Sequence, residues 1–248
     1  MTAMTIQTRR ERRIRAAEKL FDTHEARAVK PIDRALRSLA RQMQADDLNG
    51  AQILVDDALR DFRSTLGGIL LRNGMRAAEA SGRMTLGELE TKAAIDIMLE
   101  SVRRWLGDYA PRRAEVVTNF LRQRIEIQLA EGQDPIVVWG NTQRVILVKG
   151  AAARIARTEI HTATERGAFE AARSLGVRVV KEWVSRRDGL VRIGHAIADG
   201  QMQEIDTPFS VGGEPLMYPG DPAGSARNVI QCRCVALYHL VINGEIQR

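Results

Sequence analysis

Four apolar stripes at helical spacing run through the first half of the chain and restrict its fold more than any other feature. Ile32, Leu36, Leu39 and Met43 recur at intervals of four and three, and Val55, Leu59, Phe62, Leu66 and Ile69 repeat the pattern. Ile95, Leu99, Val102 and Leu106 form a third stripe, and Val117, Leu121, Ile125 and Leu129 a fourth. Such spacing lines one face of an α-helix, and that face must be buried against another element. Packing within a helical bundle is the expected use; a coiled-coil partner surface is the alternative. Pro31 is placed to open the first helix at its first turn, and Pro111 precedes the fourth stripe. The stretches DDLNG (46–50), RNG (72–74), ASGRM (80–84) and GDYAP (107–111) carry the Asn, Gly and Pro that predict helix ends.

After AEGQDP (130–135) the pattern changes. PIVVWGNTQRVILVKG is ambiguous between helix and strand, whereas the alanine-rich 151–176 predicts a long helix stopped by Gly176. VRVVKEWVS and CRCVALYHLVI have the β-branched and aromatic content of strands. In the second of these, Val235, Leu237, His239 and Val241 alternate with Cys234, Ala236, Tyr238, Leu240 and Ile242, so both faces of the strand are expected to be mostly buried. Between them lies a long Gly/Pro-rich loop. The fold class is therefore α+β. A helical partner-binding region at 1–134 is followed by a compact α+β domain at 135–248, which is expected to fold alone because Gly132 and Pro135 interrupt the helix there.

The chain is long enough for real cores, at 248 residues with 44% hydrophobic and 27% charged. No apolar run approaches a membrane span, so no membrane partner is expected. The N-terminal MTAMTIQTRRERRIR has charge where a signal peptide would have its apolar stretch. The expectation is a cytoplasmic, reducing setting, in which Cys232 and Cys234 stay thiols unless a metal takes them. Most of the net charge of +6 sits at the start of the chain, where residues 9–19 hold six Lys or Arg against two acids. Arg9, Arg10, Arg12, Arg13 and Arg15 are thus candidates to contact the phosphates of double-stranded DNA or an acidic protein surface; a solvated helix start is the alternative.

Four stretches then occur in a telling order: IARTEIHTA (155–163), KEWVSRRDGLVRIGHAIADGQ (181–201), FSVGGEPLMYPGDPAG (209–224) and NVIQCRC (228–234). This series resembles the head-morphogenesis domain of tailed phages, found in minor capsid proteins related to the F protein of phage Mu. The resemblance covers roughly the last hundred residues. It implies a protein made late in phage growth that associates with the portal, or with major capsid or scaffold protein at the inner face of the procapsid. Such a protein is present in the host cytoplasm during assembly and then in the virion, in few copies. The family usually has Asn before the first cysteine, where this chain has Gln231.

Three readings compete for the polar residues of this region. Arg157, Glu159, Asp188, Arg192, His195 and Asp199 can form a structural network that satisfies the backbone of the irregular loop, with Arg157 forking onto a carboxylate such as Asp188. His195, Cys232 and Cys234 can bind zinc, with Asp188, His161 or His239 as a fourth ligand. Against zinc, the side chains of a Cys-x-Cys pair in an extended strand point to opposite faces unless a bulge turns one back. An enzyme, in the form of a metal-dependent nuclease acting on phage DNA, is the third reading, since a His with a nearby Asp suits a general base and its orienter. No nucleophile elbow or phosphate-cradling Gly-rich loop supports catalysis. The network reading is preferred, with no catalytic residue and no required cofactor.

Overall fold

The computed structural model of the chain describes residues 6–43, 48–89 and 95–247. Three long helices come first: α1 (Ile6–Gln42), α2 (Leu48–Glu88) and α3 (Ile95–Ala130). Several expected helix ends are absent. RNG and ASGRM lie inside α2, GDYAP and Pro111 lie inside α3, and Pro31 lies in the interior of α1 rather than at its start. A glycine in a helix costs about 1 kcal/mol and a proline about 3 kcal/mol, and burial of an apolar face over several turns outweighs both. Of DDLNG, residues 46 and 47 lie outside the described residues, and 48–50 open α2. None of the described helices is long and apolar enough to cross a membrane.

The ambiguous segment is helical, α4 (Pro135–Ile146), because Asp134 accepts the Ile136 amide at 2.7 Å and caps it. Helix α5 (Ala151–Arg173) follows, and Gly176 turns the chain at φ +66. Then come β1 (Val179–Val184), the short α6 (Ile193–Ile197), β2 (Met202–Glu204), β3 (Phe209–Val211), β4 (Glu214–Leu216), α7 (Ala226–Val229), β5 (Val235–Ile242) and β6 (Glu245–Ile246). Together these elements make the fold α+β.

The chain forms two compact units that do not follow its order. One consists of Ala26–Asn73 and Trp105–Ala156. Its buried apolar residues include all of the first two stripes and Leu106, Leu121 and Ile125. Within it, Gln143 donates to the Ala40 carbonyl at 2.8 Å, and Arg122 pairs with Asp56.

The other unit consists of Met1–Glu25, Gly74–Arg104 and Arg157–Arg248. Its centre is an antiparallel sheet in the order β2-β1-β5-β6, with Trp183 opposite Ala236 and Glu182 opposite Leu237. One face packs on α5 through Ala168, Phe169 and Ala172, which meet Val179, Ala236 and Tyr238. Helix α5 also lies against α2: a Cβ on Gly167 would fall 2.1 Å from the Ala78 carbonyl oxygen. The other face, Val184, Val235 and Leu237, is covered by Ala17, Ile14 and Phe21 of α1. This packing runs across the expected division at 134/135. The sheet of the C-terminal region is completed by the first helix, and residue 134 falls inside the other unit.

Candidate metal centre

The loop between β1 and β2 holds its shape through ties to β1. Trp183 donates its amide to the Gln201 carbonyl at 2.9 Å, and the Gly200 amide returns to Trp183 at 2.8 Å, so the loop closes on one residue of the sheet. Asp199 accepts the Ser185 amide and the Arg187 Nε, each at 2.7 Å. Inside the loop, α6 turns His195 inward, where it is 2% exposed. The helix can lie this close to the β3–β4 hairpin because Gly194 has no Cβ, which would stand 2.8 Å from Gly212.

His195 meets the two cysteines there. Its Nδ1 lies 3.4 Å from Cys234 Sγ and 3.7 Å from Cys232 Sγ, and all three side chains are buried. The expected obstacle to a Cys-x-Cys pair does not arise, because both cysteines precede β5 in irregular backbone. Gln231, at φ +55, turns the chain just before them and donates its amide to Thr158 Oγ1 at 3.2 Å. Around the three lie Trp183, Ala198, Phe209, Val211 and Leu216. The ring of Trp183 meets His195 edge-on, with centroids 5.5 Å apart. A hydrogen bond from the Cys234 thiol holds Cys232 well below the ordinary thiol value, and the same bond, with burial, pushes Cys234 up.

The three residues offered as a fourth ligand lie elsewhere. Asp188 is forked by Arg233 at 2.7 and 2.8 Å, and that ion pair holds its carboxyl below the usual range. His239 faces Glu182 at 3.0 Å on the other side of the sheet. His161 reaches the Cys234 carbonyl through Nε2 at 2.8 Å, but it does not join the group of ligand atoms.

The expected polar network is also dispersed. Arg157 forks onto Glu25 of α1 at 3.0 and 3.1 Å rather than onto Asp188; Arg233, which sequence reasoning did not single out, takes Asp188 instead. Arg192 donates to the Ile230 carbonyl, and Glu159 is buried within α5. Asp188, Arg192 and Asp199 do tie irregular backbone, at the Leu190 amide, the Ile230 carbonyl and the Ser185 amide, but as separate ties. Helix α5 brings Arg157 within reach of Glu25 on α1.

The arginines of the basic N-terminal arm, Arg9 to Arg15, divide in a similar way. Arg9 donates to the Tyr238 and Gln247 carbonyls at 3.1 and 3.2 Å, Arg10 donates through Nε to Glu182 at 2.6 Å, and Arg13 is 1% exposed beside Glu88. These three hold the first turns of α1 against the sheet and Glu88, and do not form a free positive patch. Arg12 and Arg15 are exposed, Arg15 within reach of Glu11. Sequence reasoning also passed over Glu165, whose buried carboxylate accepts the Ala236 amide at 3.0 Å and which burial pushes up to about 7.

Beside the cysteines is a cleft of about 360 Å³, lined by Glu18, Phe21, Glu25, His161 and Cys232 among others. Its three arginines are all paired: Arg157 with Glu25, Arg186 with Glu18 and Arg233 with Asp188.

Residues 121–237 match the sequence profile of a family described as Phage Mu protein F like protein. Among curated proteins, the chain is 31% identical over 134 residues to a protein named NAD(+)--arginine ADP-ribosyltransferase EFV from Enterococcus faecalis (strain ATCC 700802 / V583). That alignment covers 52% of this chain and 26% of the relative, so the chain spans about a quarter of that protein's length. No solved structure matches the chain.

Proposed function

We propose, from the premise that residues 121–237 belong to the phage Mu protein F-like family, that this chain is a minor head protein of a tailed phage that binds the portal or the inner procapsid and enters the virion. The observation that carries this reading is the coincidence of the family match with the ordered motif series, which from Arg157 onward lies within one unit of the fold. RTE lies on α5, the Lys-x-Trp strand is β1, Asp188 to Gly200 form the loop around α6, and Cys-Arg-Cys leads into β5. The role is one of assembly rather than catalysis. The test is co-sedimentation of the purified chain with the portal protein of the same phage; saturable binding is expected, and absence of binding to portal, capsid and scaffold proteins alike would refute the reading.

The nuclease reading gains nothing from the cleft. Its three arginines are neutralised by carboxylates, so they offer little attraction to a phosphate backbone. Contact with packaged DNA, if the arm makes it, falls to Arg12 and Arg15.

A further inference from the structure

We propose that His195, Cys232 and Cys234 bind a zinc ion that fastens the α6 loop to the start of β5. With Zn–S near 2.3 Å and Zn–N near 2.0–2.1 Å, tetrahedral coordination places a thiolate sulfur and an imidazole nitrogen about 3.6 Å apart. The observed separations of Nδ1 from the two sulfurs are 3.4 and 3.7 Å. All the ligand atoms lie within 4.8 Å of one another, so small side-chain adjustments suffice to bring every donor onto one ion.

The donor set selects the metal. Two sulfurs and an imidazole nitrogen favour zinc over magnesium or calcium, which take oxygen ligands. The two carboxylates nearest in sequence to His195 are engaged elsewhere, Asp199 by the Ser185 amide and Arg187, and Asp188 by Arg233. Charge points the same way. Two thiolates and a neutral imidazole balance a divalent cation, and the resulting neutral group suits the shell of Trp183, Phe209, Val211 and Leu216. No fourth Cys, His or carboxylate joins the group among the described residues, so solvent supplies the fourth ligand. Cys232 also lines the charged cleft, which gives solvent its approach.

The ion would tie α6, and through the packing of Trp183 the preceding β1, to the Cys-Arg-Cys turn, whose Cys232 lies 37 positions after His195. Zinc binding is then folding free energy, because the unfolded chain does not hold the three donors together.

The test uses the full chain purified without chelator. Metal analysis should find about one zinc per chain, and chelation should lower the melting temperature. The metal-free protein titrated with cobalt(II) should show a thiolate-to-cobalt charge-transfer band and the intense visible bands of tetrahedral geometry. Cys232→Ser and His195→Gln should each weaken cobalt affinity by about tenfold or more. A folded chain that holds no zinc and gives a featureless cobalt titration would overturn the proposal, leaving a thiol–imidazole hydrogen bond in its place. Should the variants fail to fold, the wild-type cobalt titration decides alone. Portal binding plays no part in these measurements, so the assembly role stands or falls separately.

Discussion

Arg10 of α1 donates to the carboxylate of Glu182, a residue of β1 that is 3% exposed in the middle of the sheet. His239 approaches the other carboxylate oxygen at 3.0 Å. Burial disfavours the charged form of Glu182, but the hydrogen bonds from His239 and Arg10 outweigh it and hold the carboxyl below the usual range. The first helix thus supplies charge as well as apolar cover to a sheet more than 150 positions later in the chain.

Removing one partner of such a pair strands the other. Arg10→Ala should lower stability by about 3 kcal/mol, and Arg10→Ala with Glu182→Gln should recover much of that loss. Glu182 has a lowered pKa in the folded state, so its contribution is complete above the ordinary carboxylate value and is lost as the pH falls through the folded value. Chemical denaturation of wild type and Glu182→Gln between pH 3 and 7 measures this; the gap between them should close at the acid end.

A fragment of residues 135–248 should not melt cooperatively. It lacks Ile14, Ala17 and Phe21, so Val184, Val235 and Leu237 would face water, and Glu182 would lose Arg10. Dye binding to exposed apolar surface and a broad calorimetric transition are expected, where the full chain gives a sharp one. A sharp transition in the fragment would show that α1 is dispensable to the sheet.

Lys181 gives the fold a second pH dependence, of the same sign but in an alkaline window. Its ammonium donates to the Met217 carbonyl at 2.7 Å and lies 5.1 and 5.0 Å from the ring centroids of Phe169 and Phe209. Burial lowers its pKa to about 8. The unfolded chain, with an ordinary lysine, binds the proton more tightly, so stability should rise between pH 8 and about 10.5 and be flat below. Relative to Lys181→Met, the gain should be on the order of 2–3 kcal/mol across that window. The difference between the two denaturation curves isolates this residue from the other groups that titrate there.

Gln231 stands at φ +55, a region that Asn tolerates better than Gln. Gln231→Asn should therefore raise stability by about 0.5 kcal/mol, with the backbone N–H of residue 231 still available to Thr158 Oγ1. An unchanged or lower denaturation midpoint would show that the Gln side chain contributes a contact of its own.

The sequence made the elements legible better than their limits. The stripes of α1 to α3 were readable because burial follows the 3.6-residue repeat, and the alternation in β5 was readable because Val235 and Leu237 meet α1 while Ala236 and Tyr238 meet α5. Gly74, Gly82 and Pro111 misled because local propensity is small beside the burial of long helical faces. At the site, His195, Cys232 and Cys234 could be listed from residue type alone, but their convergence depends on a left-handed Gln231 and on the register of α6, neither of which has a sequence period. The pairing of Arg9, Arg10 and Arg13 within the fold is invisible in sequence for a similar reason. A run of arginines looks like a surface patch until the third dimension brings Glu182 and Glu88 beneath it.

The assembly role is tested most directly in the particle itself. Mature virions of the phage that encodes this chain, purified through a density gradient and analysed by quantitative mass spectrometry, should contain the protein in few copies relative to the major capsid protein. Its absence both from virions and from procapsids isolated before DNA entry would contradict the account.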